Sequence, residues 1–71
     1  MQKATISKKQ AQDNGWVIFQ LGGGAWTASN PKRLIAADRG EENPQHAAVD
    51  SAFSRATILR RIAAIEKQRS K

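Results

Sequence analysis

The hydrophobic positions of this chain follow two periods. From Ser54 to Lys71 the sequence reads S-R-A-T-I-L-R-R-I-A-A-I-E-K-Q-R-S-K. At about 100° per residue, Ile58, Leu59, Ile62 and Ile65 share one arc, the pattern of an amphipathic helix. Arg60, Lys67 and Lys71 fall opposite, with Arg61 on a flank. Glu66 and Arg69 interrupt the apolar arc, so packing is expected to end near Ile65 and residues 66–71 to fray as a basic tail. Ser54 is the expected N-cap, although Thr57 stands where a full capping box has Glu or Gln.

Upstream the pattern is that of strands. Trp16-Val17-Ile18-Phe19-Gln20-Leu21 is rich in β-branched and aromatic residues, and Ala25-Trp26-Thr27-Ala28-Ser29 resumes after three glycines. A hairpin over 16–29 follows. A three-residue loop pairs Leu21 with Ala25 and sets Trp26 on the face opposite Val17, Phe19 and Leu21. A four-residue loop pairs Leu21 with Trp26 and Phe19 with Ala28. It gathers Val17, Phe19, Leu21, Trp26 and Ala28 on one face and leaves Trp16 and Ile18 with the polar residues. The second register segregates polarity better and is the one expected.

The remaining segments are less regular. Residues 3–8 suggest a weak strand, with a short helix as the alternative. Asn14-Gly15 suits a type I′ turn leading into the hairpin. Asn30-Pro31 is a turn signal, and Leu34-Ile35-Ala36-Ala37 reads as a third strand, since two strands alone are marginal in water. Residues 38–46, D-R-G-E-E-N-P-Q-H, are polar and aperiodic and read as a surface loop. Residues 47–53 fit either an extension of the C-terminal helix capped at Asn43 or a short strand or linker; the second is favoured.

These elements define one α+β domain over residues 1–71. A small antiparallel sheet of about three strands, with its hairpin at 16–29, packs on one C-terminal amphipathic helix. The expected core is Ile6, Val17, Phe19, Leu21, Trp26, Ala28, Leu34, Phe53, Ile58, Leu59, Ile62 and Ile65.

Composition narrows the function. A chain of 71 residues without cysteine has no disulfide or thiolate metal site and must rely on packing, self-association or a partner. The N-terminus lacks the apolar run of a signal peptide, and no stretch approaches the roughly 18 apolar residues of a membrane span. A complete, cytoplasmic gene product without a membrane partner is therefore expected. The net charge is +6, with +2 over residues 1–31, zero over 32–59 and +4 over 60–71. Such a field attracts polyanions.

No catalytic motif emerges. Gly22-Gly23-Gly24 lacks the Lys-Ser/Thr and following helix of a phosphate-binding loop and reads as a turn. His46, the one histidine, has only loose carboxylates nearby, a poor metal set. Ser51 and Ser54 have no recognisable base. No enzyme activity, cofactor or metal is expected. The leading expectation is a binding module for nucleic acid or a nucleoprotein, led by backbone contacts. Its phosphate-contacting residues would be Arg60, Arg61, Lys67, Lys71, Lys8, Lys9, Lys32 and Arg33. Trp16 and Ile18 would supply an apolar patch for stacking or docking. The alternative is a small regulator or inhibitor docking on a larger protein, of the scale of phage and mobile-element accessory proteins. A homodimer is compatible with either.

Overall fold

A computed structural model describes residues 6–70. In chain order it contains α1 (Lys8–Asp13), β1 (Val17–Gln20), β2 (Trp26–Ser29), α2 (Pro31–Asp38), β3 (Ala48–Ala52) and α3 (Arg55–Arg69). Short 3-10 turns occupy Gly22–Gly24 and Pro44–His46. The three strands form one antiparallel sheet in the order β1-β2-β3, and α3 packs against it. The fold is α+β, as the sequence implies.

α1 forms because Ser7 and Gln10 make a reciprocal capping box. Gln10 N–H donates to Ser7 Oγ (3.1 Å), and Ser7 N–H donates to Gln10 Oε1 (3.0 Å). The part of the expected 3–8 strand that lies within the described residues is thus the approach and first residue of a helix. Residues 3–5 lie outside the described residues. Asn14-Gly15 does not make a hairpin turn either. Asn14 is the C-cap of α1, and Gly15, at φ +96°, is the left-handed residue that follows. Gly15 N–H donates to Gln12 O and Trp16 N–H to Ala11 O, each at 3.0 Å, the paired bonds of a Schellman motif.

The hairpin takes the register that polarity argues against. Val17 pairs Ser29, Ile18 pairs Ala28, Phe19 pairs Thr27 and Gln20 pairs Trp26; Leu21 N–H then donates to Ala25 O. This is the three-residue loop, with Gly23 and Gly24 at φ +84° and +89° making the reversal. A shift of one residue exchanges the two faces of β1. Trp16 is accordingly buried, at 2% exposure, and Ile18 packs on the core, while Val17, Phe19 and Leu21 face outward.

Leu34–Ala37 is helical. Asn30 Oδ1 accepts from Arg33 N–H and Pro31 occupies the first turn, a start signal for α2 rather than a turn between strands. The third strand is β3. A bulge between its pairings, Trp26 with Ala52 and Ala28 with Val49, sets Asp50 and Ser51 against Thr27. Ser54 occupies the N-cap of α3 without a side-chain capping bond, so the helix start rests on packing.

The core comprises Ala11, Trp16, Ala28, Ile58 and Ile62, with Ile6, Ile18, Trp26, Val49, Ala52, Leu59 and Ile65 packed around it. Full burial of a side chain such as Ile58 or Ile62 contributes roughly 1.5–3 kcal/mol. Of the expected core, Val17, Phe19, Leu21, Leu34 and Phe53 are exposed. Residues 66–69, expected to fray, continue α3 with Glu66 and Arg69 both paired. The 38–46 segment ends in a 3-10 turn in which Asn43 Oδ1 accepts from Gln45 N–H (3.0 Å).

Candidate nucleic-acid interface

Two sets of charged side chains divide the molecule, one turned inward and one outward. The inward set centres on Glu66. Its Oε1 accepts from the Trp16 indole Nε1–H (3.0 Å) and from the Arg33 guanidinium. Arg33 lies over the Trp16 ring, 5.4 Å from its centroid, and also donates to His46 O (3.2 Å). Asn30, 1% exposed, donates from Nδ2 to Asn14 O (3.1 Å), and its N–H donates to Ala47 O (2.7 Å). One polar cluster thus joins α1, α2, α3 and the turn before β3.

The electrostatics of Glu66 follow from these contacts. Burial pushes its carboxyl up, but the hydrogen bonds from Arg33 and Trp16 and the charges of Arg33 and Arg69 outweigh it and hold the group below its ordinary value of 4.5. A second pair closes the end of α3. Glu42 accepts from Arg69 Nε (2.9 Å), which lowers the Glu42 carboxyl and raises the Arg69 guanidinium. His46 Nδ1 lies 3.6 Å from the same carboxylate.

This cluster corrects three site expectations. Arg33 is 9% exposed and engaged by Glu66, His46 and Trp16, so it offers no cation to a phosphate. Trp16 offers no ring for stacking, because both its face and its N–H are used internally. Ile18 lies on the covered face of the sheet and supplies no exposed patch with it. Glu66, which organises the cluster, is not among the site residues expected from the sequence. The signal was present: an acid on the apolar arc of a helix marks a buried partner of opposite charge.

The outward set lies mainly on α3. Arg60 and Lys67 are exposed opposite Ile58 and Ile62, on a stripe that includes Ala56 and Ala64. Their Cα atoms stand about 10 Å apart along the axis at 1.5 Å per residue. Arg60 Nη2 donates to Thr57 Oγ1 (3.2 Å). Arg61, on the flank, donates to Asp50 O (2.8 Å) and Ser51 O (3.1 Å), tying α3 to the bulge of β3 while remaining exposed. The single acid of α3, Glu66, is spent on the inward cluster. Lys8 and Lys9 are exposed on α1, and Lys32 on α2. Lys71 lies outside the described residues.

Among the described residues no group of three or more His, Asp or Glu side chains is arranged to hold a metal ion, and no helix is long and apolar enough to cross a membrane. No protein-family model, curated protein or solved structure matches this chain.

Proposed function

We propose that this chain is a small non-enzymatic module that binds nucleic acid, alone or in a nucleoprotein, through phosphates along the outer face of α3. The observation that supports this reading is the one-sided charge of that helix. Arg60 and Lys67 project from a stripe without acidic residues, because Glu66 is turned toward Arg33 and Trp16. Arg61 extends the surface along the flank, and Lys8, Lys9 and Lys32 add to the general field. The stripe has alanine between its cations; the Thr57 hydroxyl beside it already accepts from Arg60, and Gln68 is the one amide side chain of α3, so groups that read base edges are sparse. Recognition therefore follows the phosphate backbone rather than sequence.

The test is a titration of labelled single- and double-stranded DNA and RNA by fluorescence anisotropy over a range of salt. The logarithm of affinity should fall linearly with the logarithm of salt, by roughly 0.9 for each phosphate neutralised on duplex DNA. Loss of all binding at physiological salt in the unaltered protein would sink the proposal, and so would full binding after Arg60→Ala with Lys67→Ala.

A further inference from the structure

The side of the sheet that α3 does not cover is the largest unexplained feature of the molecule. Val17, Ser29 and Ala48 form one row across it, and Phe19 and Thr27 a second; Leu21 and Ala25 begin a third. Phe19 is 42% exposed, and Val17 and Leu21 are similarly open. Phe53, one residue past β3 and at the Leu21 end of the sheet, is 82% exposed. Among the described residues the large apolar side chains buried completely are Trp16, Ile58 and Ile62. More large apolar side chains of the described chain are thus exposed than completely buried, an arrangement that small domains commonly resolve by association.

We propose that this outer sheet face is a homodimer interface, with Phe19 and Leu21 of each copy at its centre. Three observations favour a second copy over another occupant. The first is charge. The rows carry no charged side chain apart from Asp50 at the bulge. Such a face can meet its own image in a two-fold contact without opposing like charges. A different protein partner for a chain of net charge +6 would be steered to its cations, and the described residues of these rows include none.

The second is area. The molecule measures 35 × 32 × 18 Å, the thin dimension fitting one helix on one sheet. Its broad side is large enough for the roughly 800 Å² per partner of a standard interface. The third is the position of the cations. Sheet-to-sheet stacking leaves the two α3 helices on opposite outer sides, separated by both sheets and by much more than the Debye length of about 8 Å at physiological ionic strength.

The dimer needs no nucleic acid, so it is tested without any. Sedimentation equilibrium from micromolar to millimolar protein should show the mass rising from 7.8 kDa toward twice that value. Phe19→Glu should weaken self-association at least about tenfold while the far-ultraviolet circular dichroism stays unchanged. Arg60→Ala with Lys67→Ala should leave the dimer intact, which separates this inference from the nucleic-acid reading. Isotope-filtered nuclear Overhauser contacts between copies should fall on Val17, Phe19 and Leu21, and they decide the matter if Phe19→Glu does not fold. A mass of 7.8 kDa throughout overturns the proposal and leaves the face to a larger protein or to residues outside 6–70. A dimer that survives Phe19→Glu, or contacts that fall on α3, overturns it as well.

Discussion

Arg33 lies over the ring of Trp16, and both side chains donate to the same oxygen of Glu66. The tryptophan supplies the apolar wall and the arginine the charge that together let a carboxylate stand beside the core. Removing Glu66 leaves the other two without their shared acceptor, and removing Arg33 leaves the carboxylate without its counter-charge; either costs more than the net worth of one hydrogen bond.

Glu66→Gln should lower stability by about 1–3 kcal/mol at neutral pH, measured by chemical denaturation, because Arg33 loses its anion. The pH profile gives an independent check. The Glu66 and Glu42 carboxyls sit below their ordinary value of 4.5 in the folded chain, so their contribution is complete above that value. It is lost as the pH falls through the lowered folded values. The unaltered protein should therefore lose stability on the acid side of 4.5, and Glu66→Gln should show a shallower loss there.

Two arginines that look alike in the sequence should behave differently. Arg33→Ala should destabilise by roughly 2–4 kcal/mol, leaving Glu66 unpaired beside Trp16. Arg60→Ala should change the unfolding free energy by no more than about 0.5 kcal/mol, as expected of an exposed side chain. Equal effects would mean that Arg33 is not the buried half of a working pair.

Gly15→Ala should cost about 1–2 kcal/mol in denaturant titration, because φ is +96° there and a methyl group would sit 3.1 Å from Asn30 Oδ1. Gly23→Ala meets a positive φ but open space, so its cost should be smaller.

On nucleic acid, Arg60→Ala with Lys67→Ala should reduce the slope of log affinity against log salt by roughly two phosphate contacts, about 1.8 on duplex DNA. Anisotropy titrations at four or more salt concentrations measure it. An unchanged slope would place the phosphates elsewhere.

The α3 period, the hairpin and the α+β class are legible from apolar spacing alone, because periods of 3.6 and 2 survive imperfect packing. The polar signals required a choice between roles. Asn14-Gly15 can close a hairpin or end a helix, and the Ser7–Gln10 capping box upstream decides for the helix. Asn30-Pro31 can be a turn or an N-cap with proline in the first turn, and the bond from Arg33 N–H decides again for the helix. Polarity alone favours the other face of β1, whereas burial of one large aromatic with a tailored acceptor outweighs a tidy alternation. Once Trp16 is inside, Arg33 and Trp16 leave the candidate site together, while Arg60, Arg61, Lys67, Lys8, Lys9 and Lys32 stay at the surface.

Glu66 also sets an order of events in time. Its partners Asn14, Trp16 and Arg33 lie 52, 50 and 33 residues earlier in the chain. Contacts of such separation form late, since a long loop must close before they add anything. The two amino-terminal helices and the hairpin cannot settle their shared polar centre until the far end of α3 arrives. Once it has arrived, the last turns of that helix are held by the middle of the molecule. Its amide protons through Glu66 should then exchange with solvent only when the whole chain opens, rather than by peeling from the end.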